Sequence, residues 1–87
     1  MSTNQKSLNS FRNRIDEIDN QILKLLQERN ETVKKVINTK IENNLPIFVA
    51  NREEEKIYSF RNKAKNLGLD VDWAEDFLRM IMSSSRA

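Results

Sequence analysis

Cysteine and histidine are both absent from this 87-residue chain, and each absence removes a class of chemistry. Without cysteine there is no disulfide framework and no thiolate metal site. Without histidine, the commonest general acid/base, the commonest metal ligand and the histidine-based nucleophile triads are missing. Glycine and proline occur once each, so little interrupts regular backbone. The longest apolar run, Pro46 to Ala50, is far too short to span a membrane. The opening MSTNQKSLNS lacks the apolar core of a secretion signal, so the cytoplasm is the expected compartment. A dominant charge is lacking too: 15 Lys and Arg face 13 Asp and Glu, a net of +2 with the signs mixed. A nucleic-acid surface, which needs a clustered basic face, is therefore not expected. What is present, 32% charged and 38% hydrophobic residues, suits a helical protein of one domain.

Residues 1–7 read as a disordered polar tail, with one domain over 8–87. From Leu8 the apolar residues Phe11, Ile15, Ile18, Ile22 and Leu25 recur at heptad spacing, continuing through Val33, Val36 and Ile37 to about Ile41. Ser7 or Asn9 is a candidate cap for the start. ENNLP ends the helix, because Pro46 disfavours helical geometry at Leu45 and asparagine tolerates a left-handed exit. A second helix is signalled by NREE, with Asn51 as N-cap and Glu54 completing a capping box. Its stripe is Ile57, Phe60, Ala64 and Leu67, and Gly68 is a natural stop. A third opens at DWAE, where Asp72 and Glu75 repeat the capping pattern, and turns Trp73, Phe77, Leu78 and Ile81 inward.

The expected class is all-α, with one long helix and two shorter ones. About 35 residues at 1.5 Å each make the first helix roughly 50 Å long, whereas a compact chain of this size is about 30 Å across. Two short helices cannot cover that stripe. A homodimer whose long helices pack against each other is the simplest remedy.

At 100° per residue, Arg29 and Lys40 fall in the middle of the first helix's apolar stripe, with Arg12 and Asp19 at its flanks. Long cationic side chains often lay their stems on apolar surface and reach water. Two cations on one stripe nevertheless ask for a partner, since an unpaired buried charge is costly. They stand about 16 Å apart along the axis, a gap that two long side chains and a small dianion can close. Arg12 is about 25 Å from Arg29 and cannot share that ligand within one chain, but it can across an antiparallel helix pair. At the start of the second helix, Arg52 and Glu53 lie where outward N–H groups favour anions. Glu53 there serves equally well as a simple complement to the helix dipole. Ser85 points inward on the third helix, either as a small tolerated residue or as a ligand contact.

Taken together, Leu8, Phe11-Arg12, Ile15, Asp19, Ile22, Leu25-Leu26 and Arg29, then Lys40, then Pro46 and Arg52-Glu53, form a spacing that resembles the all-helical chorismate mutases. The resemblance covers about residues 8–85. The stretches PIFVANREE and NLGLDVDWAEDFLRMIMSSS look most like the mutase domain fused to prephenate dehydrogenase, which implies a possible dehydrogenase domain downstream. The resemblance implies an intertwined dimer with two identical sites and no cofactor or metal. It also implies conversion of chorismate to prephenate in aromatic amino acid biosynthesis, a Claisen rearrangement that needs neither proton transfer nor a nucleophile. Carried over, Arg29 and the partner subunit's Arg12 would grip carboxylates, and Lys40 would donate to the ether oxygen and help hold a carboxylate. Arg52 would support the anion, Glu53 would accept from the ring hydroxyl, and Ser85 would lie near the substrate.

Two departures stand out. Val49 occupies a position where some relatives carry Asp near the hydroxyl. A family Gln or Glu directed at the ether oxygen would fall at position 89, past Ala87, implying a longer natural chain or another group in that role. Two rival readings stay open: an enzyme of the same fold that eliminates pyruvate from isochorismate, and a helical dimerisation module without chemistry.

Overall fold

In a computed structural model, which describes residues 2–47 and 50–86, the chain forms three helices in sequence: α1 (Ser2–Glu42), α2 (Ala50–Asn66) and α3 (Val71–Arg86). No strand occurs among the described residues. The all-α expectation of one long helix and two shorter ones therefore holds. Val49 lies outside the described residues. No described helix is long and apolar enough to cross a membrane.

α1 starts earlier than its apolar pattern does. Ser2 opens it, so residues 2–7, read as a polar tail, are its first turns, and Ser7 and Asn9 sit inside the helix rather than capping it. No glycine or proline occurs before position 46, so nothing local stops helix propagation toward the N-terminus.

The chain divides into two units, Met1–Thr32 and Val33–Ala87. In the first, a single stretch of α1 carries its apolar side chains exposed: Phe11 is 66% and Ile15 55% accessible, and Leu8, Ile18, Ile22 and Leu25 are likewise open. An exposed ion pair joins Arg14 to Glu17 at 3.1 Å, a setting in which such pairs contribute little.

The second unit holds the last turns of α1, the connection after it, and the packed pair α2 and α3. Ile57 of α2 meets Leu78 and Met82 of α3, with half-buried Phe60 and Ile81 packed against them; Ala64 of α2 and Ala74 of α3 are buried as well. Leu78, only 1% exposed, anchors this small core; full burial of such a side chain stabilises by about 1.5–3 kcal/mol. Two inward expectations need correction. Trp73 is 61% exposed and Leu67 is also open. Ala74 takes the inward position beside Trp73, whose ring instead stacks on Phe77 at 5.5 Å.

Both helix ends that lead into connections use one device. After α1, Asn44 adopts a left-handed φ of 56°, its N–H donates to the Ile41 carbonyl at 3.2 Å, and Leu45 N–H donates to the Lys40 carbonyl at 2.8 Å. After α2, Gly68 (φ 74°) repeats the pattern, with Gly68 N–H to Lys65 at 3.1 Å and Leu69 N–H to Ala64 at 2.9 Å. These are Schellman closures, which satisfy carbonyls that the helix end would leave unpaired.

Helix starts depart from expectation. α2 begins at Ala50, so Asn51 lies within its first turn instead of capping it. α3 is capped by Asp70 rather than Asp72: the Asp70 carboxylate accepts the Trp73 N–H at 2.9 Å. Its carbonyl accepts the Ala74 N–H at 3.0 Å. Asp72 lies two residues further on, inside the helix, and its carboxylate is engaged by Arg61 instead.

Candidate active site

The six residues singled out by the sequence occupy four local settings. Arg12 is exposed and Arg29 half-buried on α1 within the first unit. At 1.5 Å per residue, their separation along one continuous helix is about 25 Å. Flexible side chains cannot bring both to one small anion from the same helix.

Lys40 belongs to the last turn of α1 and is half-buried. Its ammonium donates to the Ile47 carbonyl at 3.0 Å, while its own carbonyl accepts from Leu45. The lysine thus grips the chain that leaves the helix through both its backbone and its side chain. Around it, Asn43 donates from its backbone N–H and its side-chain amide to the Thr39 carbonyl, at 3.1 and 2.7 Å.

Arg52 and Glu53 stand side by side in the first turn of α2, Arg52 exposed and Glu53 half-buried. The helix N-terminus presents outward N–H groups and the positive end of its dipole there, a setting favourable to an anion. Ser85 is half-buried near the end of α3, and its hydroxyl donates to the Ile81 carbonyl at 2.8 Å. Among the described residues no group of acidic, histidine or cysteine side chains is arranged to hold a metal.

Arg61, Asp72, Glu75 and Arg79 form an ion network that the sequence reading did not select. Arg61 donates to Asp72 at 3.1 Å and to Glu75 at 2.7 Å, and Arg79 donates to the second Glu75 oxygen at 2.8 Å. The hydrogen bond from Arg79, and then that from Arg61, hold the Glu75 carboxyl below the usual glutamate range. Asp72 and then Glu75 raise the Arg61 guanidinium further above its already high value. This network ties the start of α3 to α2. The Glu75–Arg79 part is a legible i,i+4 pair, whereas Arg61 joins it from another helix, beyond the reach of periodicity. The Lys40–Ile47 contact was missed for the same reason.

Comparison with known proteins bears on what such an arrangement is for. A family model described as chorismate mutase type II matches residues 11–87. The chain is 40% identical over 78 residues to a T-protein of Enterobacter agglomerans, a match covering 90% of this chain and 21% of that protein. It is 35% identical over 81 residues to a bifunctional chorismate mutase/prephenate dehydratase of Buchnera aphidicola, covering 93% of this chain and 21% of the relative. A chorismate mutase of Methanocaldococcus jannaschii is 36% identical over 72 residues, with 76% of this chain and 73% of that protein covered. The chain therefore spans about a fifth of the length of the T-protein and of the bifunctional relative, at 21% of each. No solved structure matches it. With three helices, no strand among the described residues and a family match running through 11–87, the chain belongs to the chorismate mutase type II family.

Proposed function

We propose that this chain converts chorismate to prephenate, and that Arg12, Arg29, Lys40, Arg52, Glu53 and Ser85 form the site. The observation that carries the reading is the extent of the family match: residues 11–87 include every one of the six positions. The chemistry is consistent with the composition. A Claisen rearrangement breaks one C–O bond and forms one C–C bond within a single molecule, so it needs neither a nucleophile nor a proton carrier. A chain without histidine or cysteine lacks nothing for it. Two effects accelerate it. The first is confinement of a flexible dicarboxylate in the compact conformer where the reacting carbons meet. The second is stabilisation of the negative charge that builds on the ether oxygen as the bond opens.

In this reading Arg29 and Arg12 of the partner subunit hold the two carboxylates, and the planar guanidinium suits each to bidentate pairing. Lys40 donates to the ether oxygen and shares a carboxylate, Arg52 adds positive potential, and Glu53 accepts from the ring hydroxyl. Ser85, whose hydroxyl donates to the Ile81 carbonyl, lies near the substrate. The catalytic unit spans about residues 8–87 and acts as a homodimer in the cytoplasm. The open side chains Leu8, Phe11, Ile15, Ile18, Ile22 and Leu25 supply the apolar face that a second copy covers. A prephenate-consuming partner activity, by resemblance a dehydrogenase, would take the product.

Mixing the purified protein with chorismate and following the loss of its absorbance tests the reading directly, with prephenate as the expected product. A parallel incubation with isochorismate tests for pyruvate; pyruvate without prephenate would reassign the reaction. Turnover of neither substrate would leave the chain a dimerisation module.

A further inference from the structure

Lysine is a poor instrument for placing a charge precisely, because its ammonium rides on a stem with four rotatable bonds. At Lys40 the chain itself removes that freedom. The residue occupies the third position from the end of α1 in the Schellman closure, where its carbonyl accepts the Leu45 N–H at 2.8 Å. The closure depends on Asn44 at a φ of 56°, a conformation asparagine tolerates and β-branched residues strongly resist. Pro46 then fixes the backbone direction, and the next carbonyl, that of Ile47, turns back to accept from the Lys40 ammonium at 3.0 Å.

We infer that the Ile47 carbonyl, held by the left-handed turn at Asn44, is a positioning group for the Lys40 ammonium in the reaction proposed above, on which this inference rests. An ammonium has three N–H donors and no acceptor. One is engaged by Ile47, which fixes the nitrogen in space. Two further donors remain for an anionic oxygen. A neutral carbonyl suits this role better than a carboxylate, since it orients the charge without cancelling the field felt by a substrate anion. Asn44 acts through Ile47 and Lys40 and touches no reacting atom itself.

The test compares Asn44→Val, which opposes the positive φ, with Asn44→Gly, which permits it. Two readouts are needed, and the first does not depend on activity. Brief treatment with an amine-acylating reagent, followed by mass spectrometry, measures labelling of Lys40 relative to the exposed Lys34 and Lys35 on the same helix. Asn44→Val should raise relative labelling of Lys40 several-fold, and Asn44→Gly should leave it near the wild-type level. The second readout is steady-state turnover of chorismate. Asn44→Val should lower kcat about tenfold, with KM changed no more than about threefold, and Asn44→Gly should restore kcat. Circular dichroism checks that helicity is retained; if the valine variant unfolds, Asn44→Ala replaces it with a smaller penalty of the same kind. Unchanged Lys40 labelling in the strained variant overturns the inference, as does raised labelling with an unaltered kcat. A glycine variant that behaves like the valine one overturns it too. A wild-type chain inactive on chorismate would instead sink the proposed function and the catalytic role of the turn, while the labelling arm still decides whether the contact exists.

Discussion

Arg29 and Lys40 are half-buried, as are Leu26, Val33 and Ile37, on a helix that is otherwise mostly exposed. At the scale of single residues they are the sharpest test of the proposed site. Removing a donor that acts on developing charge typically costs about 10²–10³ in rate. Arg29→Ala and Lys40→Ala should therefore each lower kcat/KM by about that factor or more, with helicity by circular dichroism unchanged. Activity close to wild type in both would show that the reaction is carried elsewhere. Arg29→Lys is a stricter version, because an ammonium keeps the charge but loses the planar fork that pairs a carboxylate bidentately. The position of these cations on the apolar stripe was legible from periodicity alone. The hydrogen bond that engages Lys40 was not, because it depends on the path of the chain over the seven residues to Ile47.

At the scale of elements, the closures and caps decide where each helix begins and ends. Asn44 and Gly68 were readable as stops because a left-handed residue after a helix is a local requirement. The starts were harder to place. Several acidic and amide residues crowd each junction, and which one caps depends on where the preceding turn releases the chain. Asp70 lies two positions after Gly68 and so wins over Asp72. Asp70→Ala should destabilise by about 1 kcal/mol, seen as a lower thermal midpoint, whereas Asp72→Ala should leave the α3 cap intact. The Arg61–Glu75–Arg79 network adds a pH dependence. The folded-state pKa of Glu75 lies below its ordinary value. Its contribution is thus complete above the unfolded glutamate range and is lost as pH falls through the depressed value. Arg61 stays protonated throughout and adds nothing to that acid limb. Urea midpoints measured from neutral pH downward should fall less steeply for Glu75→Gln than for wild type. Equal slopes would mean that the network is solvated away.

For the whole molecule, the balance of covered and open apolar surface is the governing fact. The core between α2 and α3 rests on a few side chains around Leu78, while the stripe from Leu8 to Leu25 on α1 is exposed in the single chain. A substitution on a truly solvated face usually changes stability by less than about 0.5 kcal/mol. Ile15→Glu should do far more if a second copy covers that face. Sedimentation should then show a dimer for wild type and a monomer for the variant, and chorismate turnover should be lost with the dimer because Arg12 of the partner subunit is removed from the site. A variant with unchanged mass and activity would rule out this face as the seam.

The sequence by itself determined the helical class, the two helix stops, the cationic interruptions of an apolar stripe and the family. All of these are written in spacings of three, four and seven residues, or in residue types with a local conformational requirement. The tertiary structure alone decided that Arg61 bridges to Asp72 and Glu75, that Ala74 displaces Trp73 from the inner face, and that the Ile47 carbonyl meets the Lys40 ammonium. Those outcomes join residues whose separation in sequence has no fixed relation to their separation in space. Only the closed turns and the packing of α2 on α3 bring them within reach.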